Sequence, residues 1–265
     1  MSQLTAENAD GGALASRSAM HNPPSWFAST AAVLALLLTS CSLFEPRNPP
    51  TEDPQAGLPG DRVATSQGNL VIQPLNHATF MMNWAGRTLY VDPVGGAERF
   101  QGLPSPDILL VTDIHGDHYN ADTLAAVLQP DTVIVAPKAV RDLMPANLQA
   151  VTQELANGAT LSVKDIPVEA LPMYNITPDR LERHVKGRGN GYLLTLGDKR
   201  VYIAGDTEDT PEMRALSNID VAFVPMNLPF TMSVAQAADA VRTFKPRIVY
   251  PYHHRGSDVN EFARL

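Results

Sequence analysis

The chain has 265 residues, 44% of them hydrophobic and 18% charged, which is the composition of a globular protein with one full core. Its formal net charge of -8 comes from 28 acidic against 20 basic residues, so it lacks the basic surface that follows a phosphate backbone, and we expect no nucleic-acid partner. The single cysteine, Cys41, excludes an internal disulfide framework and a cysteine-based zinc site.

A short hydrophobic segment precedes Cys41. The apolar run at residues 31–38 is too short to span a bilayer as a stable helix and has the size of a signal-peptide core. The sequence Leu-Thr-Ser-Cys that ends at Cys41 resembles the bacterial lipobox, in which the cysteine is lipidated and becomes the new N-terminus. We therefore expect residues 1–41 to be a signal peptide and the protein to be a lipoprotein of the cell envelope, anchored to a membrane through Cys41. The acidic residues before the run are unusual for a signal sequence and leave Met20 as an alternative start, and a buried N-terminal helix is the structural alternative.

A spacer and a single domain are predicted to follow. Residues 42–66 are rich in Pro, Gly, Asp and Glu and have no periodic apolar pattern, which predicts a flexible linker. Residues 67–265 are predicted to form the folded domain. The chain stops inside a helical pattern at residues 261–265, so we expect the domain to be shortened at its C-terminus.

The apolar pattern of the domain predicts strands that are first joined by turns and later alternate with helices. Gly86-Arg87 is read as the turn between the first two strands, and Ser233 as the N-cap of an amphipathic helix. The predicted strands are residues 70–72, 88–92, 107–112, 132–136, 192–196, 200–204, 221–224 and 247–250. The predicted helices are residues 122–128, a segment that begins at 139, and residues 233–244. This order predicts a layered α/β sandwich.

A dense group of potential metal ligands follows the predicted strand at residues 107–112. The sequence Asp113-Ile114-His115-Gly116-Asp117-His118 holds four such groups, and Gly116 allows the loop to fold back so that neighbours face different metals. Imidazole and carboxylate suit zinc, manganese or iron, and the carboxyl end of a buried strand is where open α/β sheets gather their sites. A solvated polar loop is the alternative interpretation.

This run resembles the signature Thr-His-x-His-x-Asp-His of the metallo-β-lactamase superfamily, with Asp113 at the place of the first histidine. His184, Asp206 within Gly-Asp-Thr, and His253 within Pro-Tyr-His follow in the family's order. Residues 76–80 and 90–93 resemble the opening of a branch that includes L-ascorbate-6-phosphate lactonases and N-acyl-phosphatidylethanolamine phospholipase D proteins. The resemblance covers about residues 67–258 and implies a four-layer αβ/βα sandwich.

The resemblance also implies two divalent metal ions joined by a bridging water or hydroxide. One ion would be held by His115 and His184, the other by Asp117, His118 and His253, with Asp206 shared between them. Asp113 would either join the first ion or act as an acceptor that orients a ligand histidine. Zinc is the expected metal, and the harder carboxylate of Asp113 keeps manganese and iron as alternatives.

Several further residues are predicted to act around these ligands. Asp117 is also predicted to be catalytic. His77 is predicted to contact substrate or transfer a proton, with a structural hydrogen bond as the alternative. Asp92 is predicted to brace the metal loop without touching metal, and His254 to be exposed or to contact substrate. Three basic residues near the ligand segments could receive a phosphate or carboxylate, although a solvated loop is the alternative for the first two: Lys186, Arg188 and Arg255.

These residues predict a metal-dependent hydrolase that acts on a lactone, ester or phosphodiester from the cell envelope. The substrate is expected to be a small molecule or derived from a lipid. A phospholipase D-type phosphodiesterase is the nearest alternative, and residues 225–232 could line the apolar groove it needs or be part of the core. A tethered binding protein with a degenerate metal site is a different class of function, which the Asp113 substitution permits.

Overall fold

The computed structural model of the protein describes residues 55–265. The predicted signal peptide, Cys41 and the first part of the predicted linker lie outside these residues. Among the residues described, no helix is long and apolar enough to cross a membrane.

The first sheet has its strands in sequence order, from β1 to β7. Strands β1 to β4 pair antiparallel, and β4 to β7 pair parallel. The strands are β1 (Asp61–Thr65), β2 (Gly68–Asn76), β3 (Thr79–Trp84), β4 (Arg87–Val91), β5 (Ile108–Leu110), β6 (Val133–Ala136) and β7 (Thr152–Glu154).

The second sheet has the order β13-β12-β11-β10-β9-β8. Strands β8 to β11 pair antiparallel, whereas β11, β12 and β13 pair parallel. The strands are β8 (Thr160–Val163), β9 (Ile166–Met173), β10 (Gly189–Leu196), β11 (Lys199–Ile203), β12 (Val221–Pro225) and β13 (Ile248–Tyr252).

Short helices follow many of the strands. Ser233 caps α5 as predicted: its hydroxyl accepts a hydrogen bond from the backbone N–H of Gln236, whose side chain bonds back to the Ser233 backbone. The helices are α1 (Ala121–Val127), α2 (Lys138–Arg141), α3 (Ala146–Gln149), α4 (Pro211–Arg214), α5 (Val234–Phe244) and α6 (Val259–Arg264).

Alternating side chains of the strands build three apolar layers. In β5, Ile108 and Leu110 point between the two sheets, whereas Leu109 points toward the helices that cover the first sheet. The second sheet likewise packs Tyr202 against α5, where it contacts Phe244 with ring centroids 6.1 Å apart. Helix, sheet, sheet and helix are therefore stacked, which confirms the α/β class and the predicted four-layer sandwich.

The structure corrects the predicted boundary between linker and domain. Asp61–Thr65 is not linker but β1, which pairs with β2 along its whole length. Gln55 is buried as well, and its side-chain amide donates to the carbonyl of Asn69 at 2.9 Å. The apolar pattern did not show this because β1 is held by backbone pairing, with Val63 as its contribution to the core.

The predicted hairpin around Gly86-Arg87 was wrong in its partners. Strand β3 precedes that turn, so β4 pairs with β3 and not with the strand at residues 70–72. All six residues of β3 are buried, so the sequence lacks the alternation that marks a half-exposed strand. Strand β9 also escaped prediction, because Pro167 and Pro172 argue against a strand when the sequence is read alone.

Candidate metal centre

The predicted site residues lie at the carboxyl ends of strands in both sheets. The loop at residues 113–118, here called the metal loop, follows β5 of the first sheet, and Asp206 and His253 follow β11 and β13 of the second. His184 comes from the loop between β9 and β10, here called the flap (residues 174–188). The structure brings all seven predicted ligands together, and it places His77, directly after β2, beside them.

Asp206 lies at the centre of the cluster. Its Oδ2 is 3.2 Å from Nε2 of His118 and 3.2 Å from Nε2 of His184, and its Oδ1 is 3.3 Å from Nε2 of His253. The carboxylate is buried, at 2% exposure. One side chain therefore touches histidines from the metal loop, the flap and the end of β13, as a ligand shared between two cations would.

Two further groups of ligand atoms flank Asp206. On one side, Oδ2 of Asp117 lies 3.2 Å from Nε2 of His253 and 3.4 Å from Nε2 of His77. On the other, Oδ2 of Asp113 lies 2.6 Å from Nδ1 of His115 and 3.9 Å from Nε2 of His184. Within each group, and in a third formed by His118, Asp206 and His253, the candidate ligand atoms all lie within 4.8 Å of one another.

Hydrogen bonds from outside the cluster fix the orientation of its histidines. Nδ1 of His118 donates to Oδ2 of Asp92 at 2.8 Å, and Asp92 also accepts from the backbone N–H and the hydroxyl of Thr112. Nδ1 of His184 donates to Oδ1 of Asn175 at 3.1 Å. Both rings therefore present Nε2 to the centre of the cluster, and Asp92 braces the metal loop without lying among the ligands, as the sequence predicted.

The donor atoms fit a divalent cation. Nε2 of His118 and Oδ1 of Asp206 are buried and form no hydrogen bond with the described residues, although other ligand atoms lie close by. Buried polar atoms without hydrogen bonds are costly unless a ligand satisfies them. Imidazole nitrogen and carboxylate oxygen are ligands of zinc, manganese and iron, and both kinds converge here.

Carboxylates and histidines of the cluster stabilise each other's charged forms. Burial opposes ionisation of Asp206, but the neighbouring His118 and His253 hold the pKa of its carboxyl well below the usual range. Burial lowers the pKa of His118, yet Asp206 and Asp92 outweigh it and raise that pKa well above its ordinary value. Hydrogen bonds from His253 and His77 likewise lower the pKa of Asp117. Without a cation, the proton held by His118 balances the negative charge of Asp206 and Asp92.

The cluster opens into a cavity of about 760 Å³. Arg183 and Arg255 line it, and among the described residues neither guanidinium forms an ion pair or a hydrogen bond. The Arg183 guanidinium lies 4.9 Å from the centroid of the Phe230 ring, which is itself 44% exposed. The cavity therefore offers both positive charge and apolar surface to a molecule that reaches the cluster.

The other predicted basic and histidine residues separate into different roles. Lys186 is not in the cavity wall: it pairs with Glu212 at 2.6 Å and covers the Tyr174 ring. Arg188 contacts Asp113. His253 is the buried histidine of the Pro-Tyr-His segment, whereas His254 lines a separate, smaller cavity of about 210 Å³.

A buried ion pair that was not predicted from the sequence fixes the flap to the loop after β11. Glu208 is fully buried, and its Oε1 lies 2.7 Å from Nη2 of Arg180 in the flap. Its other oxygen accepts hydrogen bonds from the backbone N–H groups of Ile176 and Thr177, at 2.8 and 2.7 Å. The signal was present in the sequence as a second acid two residues after Asp206, but an acid in a loop is usually solvated, and its partner is 28 residues upstream.

Comparison with known proteins identifies the family of the chain. The family model described as "Beta-lactamase superfamily domain" matches residues 71–253. A UPF0173 metal-dependent hydrolase of Pyrococcus abyssi is 30% identical over 209 residues, which cover 72% of this chain and 89% of the relative. A crystal structure titled putative metal-dependent hydrolase, from Parabacteroides distasonis, is 40% identical, with a TM-score of 0.72 over 78% of this chain and 92% of that one. The metallo hydrolase Igni18 of Ignicoccus hospitalis, at 21% identity and a TM-score of 0.61, shares the fold and covers 74% of this chain and 89% of its own.

Proposed function

The chain belongs to the metallo-β-lactamase superfamily and is a metal-dependent hydrolase, and from that premise we propose that it cleaves a lactone, ester or phosphodiester with two divalent cations. One cation would be held by Asp113, His115 and His184, and the other by Asp117, His118 and His253. Asp206 would be shared between them. The position of Asp206, in contact with histidines of three separate segments, is the observation that carries the proposal.

The bound cations would supply a hydroxide nucleophile at neutral pH and neutralise the negative charge that forms on the attacked carbonyl or phosphoryl group. No serine or cysteine nucleophile is then needed. Asp117 remains ionised beside the reacting groups, because its pKa is lowered by His253 and His77. His77 lies at the cavity wall with Nε2 3.4 Å from Asp117, where it can donate a proton to the leaving oxygen.

The cavity wall supports an anionic substrate with an apolar part. Arg183 and Arg255 provide charge for a phosphate or carboxylate, and Phe230 provides an aromatic face. Further exposed apolar side chains lie on the two loops that carry Arg183 and Phe230. These side chains are Ile176, Leu181 and Val185 on the flap, and Leu228 two residues before Phe230. This exposed apolar surface favours a lipid-derived phosphodiester, as in the phospholipase D-type reaction, as the second candidate.

We also propose that the protein works at the cell envelope, tethered through a lipid on Cys41. The lipobox-like sequence before Cys41 supports this location. Incorporation of radiolabelled palmitate into the expressed chain, and its loss in a Cys41→Ser variant, would support the tether. An unlabelled chain that is not processed at Cys41 would contradict it.

The function is tested on the full chain in mild detergent, with metal content measured by elemental mass spectrometry. Hydrolysis is followed with a generic aryl phosphodiester, a lactone, and a phosphodiester that carries an acyl chain, before and after chelation. We expect chelator-sensitive turnover and about two metals per chain. Asp206→Asn should abolish turnover. Asp198 is an exposed acid just before the first residue of β11, at the end of the strand away from Asp206, and Asp198→Asn should leave turnover unchanged.

The outcomes separate the candidates. Preference for the acylated phosphodiester would favour the phospholipase D-type reaction, and preference for the lactone would oppose it. A folded chain that binds no metal under varied supplementation and turns over no substrate would overturn the proposal and favour a tethered binding protein.

A further inference from the structure

We propose that Arg188 makes the two cation sites unequal, so that the site containing Asp113 binds its cation more weakly and exchanges it more readily than the site containing His118. This inference rests on the two-cation centre of the proposed function. It concerns affinity, which is measured without a substrate.

The Arg188 guanidinium lies directly against the Asp113 carboxylate. Its Nε is 3.4 Å from Oδ1 of Asp113, and its Nη2 donates to Oδ2 at 3.4 Å. Asp113 is fully buried, so water screens this pair only weakly. A guanidinium does not lose its proton in proteins, which makes the positive charge permanent. A cation bound at Asp113 must share the carboxylate with Arg188 and is repelled by it.

The second site has no such competitor. Among residues 55–265, Asp117 and Asp206 form ion pairs with histidines and with no lysine or arginine. Imidazole ligates a metal as the neutral ring, so none of these partners is a fixed positive charge comparable with a guanidinium. Exposure does not separate the two sites, since the side chains of His115 and Asp117 are each 42% exposed. The difference between the sites is the fixed charge of Arg188.

Arg188 is held in this position and cannot turn away at little cost. Its backbone N–H donates to the carbonyl of Val185, and its Nη2 donates to the carbonyl of Arg183 at 2.5 Å. Strand β10 begins at the next residue, and a Cβ at Gly189 would lie 2.8 Å from the carbonyl oxygen of Thr112. The close approach of β10 to the metal loop therefore keeps Arg188 beside Asp113.

The same pair explains how a carboxylate can occupy the position where the family pattern has a histidine. A buried Asp113 without a cation would be an uncompensated charge, and Arg188 supplies the compensation together with His115. The metal-free site is thereby stable, which favours reversible loading of that cation.

The test is a binding isotherm of the metal-free full chain in mild detergent, titrated with Zn²⁺ at buffered free concentrations and read by elemental mass spectrometry. We expect two steps separated by at least about tenfold in dissociation constant. His115→Ala should remove the weaker step, and His118→Ala the tighter one. Arg188→Gln should tighten the weaker step by about tenfold or more and leave the other unchanged, whereas Arg188→Lys, which keeps the charge, should preserve the gap.

Arg255→Gln is the matched control, because it removes a guanidinium that lines the cavity beside the cluster and forms no ion pair with Asp113. It should leave both steps unchanged. Two equal steps in the wild-type chain, or an Arg188→Gln variant with the gap intact, would overturn the inference. If Arg188→Gln fails to fold, as judged by circular dichroism, the wild-type isotherm and Arg188→Lys still decide. Unequal binding without turnover of any substrate would support this inference and count against the proposed function alone.

Discussion

The Asp92 carboxylate and the His118 imidazole meet at 2.8 Å, with both side chains fully buried. The contact engages Nδ1 of His118, which leaves Nε2 as the atom that faces Asp206. Asp92 also holds the backbone of Thr112, so the same carboxylate sets the ring orientation and the start of the metal loop.

This relationship predicts the effect of Asp92→Asn. The amide keeps the size of the side chain but removes the charge that makes His118 a better ligand and fixes its tautomer. We expect the affinity for the cation held by His118 to fall by about 10- to 100-fold. Zn²⁺ titration of the metal-free chain measures it.

Asp107→Asn serves as the control for Asp92→Asn. Asp107 accepts a backbone hydrogen bond from Thr88 just before the opposite end of β5, far along the strand from the cluster. Asp107→Asn should leave the Zn²⁺ affinity at the wild-type value. Equal affinities for Asp92→Asn and the wild type would show that the contact does not tune the ligand.

His77 is predicted to move a proton and not to hold metal. His77→Gln should therefore lower kcat by about 10²-fold or more while metal content stays at the wild-type level. Steady-state kinetics and elemental analysis of the same sample give both values. Loss of one metal ion in the variant would instead make His77 a ligand, a role that its grouping with Asp117 and His253 also allows.

The Glu208–Arg180 pair predicts a large effect of a small change. Glu208→Gln removes the buried counter-charge of Arg180, whose side chain is 14% exposed, and leaves that guanidinium only the exposed Asp179 carboxylate at 4.0 Å. We expect this to lower the free energy of unfolding by about 3 kcal/mol. Urea denaturation of the metal-free chain measures the change. Glu212→Gln breaks a half-exposed pair with Lys186 on the same flap and should cost under about 1 kcal/mol. Equal decreases in the free energy of unfolding for Glu208→Gln and Glu212→Gln would contradict the expectation that the buried pair contributes more than the half-exposed one.

The raised histidine pKa values predict how metal binding depends on pH. His118 keeps its proton above pH 6.5, its ordinary value, because Asp206 and Asp92 outweigh its burial, and His115 does so because of its hydrogen bond to Asp113. A cation binds the unprotonated nitrogen and must displace these protons, so affinity should rise with pH from 6.5 up to the raised pKa values, by about tenfold per unit for each proton released. Calorimetric titrations in buffers of different ionisation enthalpy count the protons. A metal affinity that does not change with pH in that range would contradict the raised pKa values of His118 and His115.

The site was more predictable from the sequence than the fold around it. The ligands follow strands β5, β11 and β13, and both their residue types and their order are local properties of the sequence. The metal loop holds four potential ligands within six residues, which is dense enough to be recognised from the sequence alone. The resemblance to the superfamily added the distant ligand His184. The branch suggested by residues 76–80 and 90–93 stays a prediction, as does the lipidation of Cys41.

The missed features depend on contacts between distant segments. Strand β1 is identified by its pairing with β2, and β9 is disguised by its prolines. The approach of Arg188 to Asp113 joins residues 75 positions apart, so no spacing rule could assign Arg188 a partner. Buried ion pairs of this kind have no periodic signature in a sequence.

The ligands come from both sheets, and this has a consequence for the order of events during synthesis. The metal loop is synthesised more than a hundred residues before His253, so its ligands exist for a time without their partners from the second sheet. The cluster is complete only when β13 has joined the second sheet and carried His253 to Asp206. A cation bound at this cluster would connect ligands of the two sheets, and metal loading would then act as the final step of maturation.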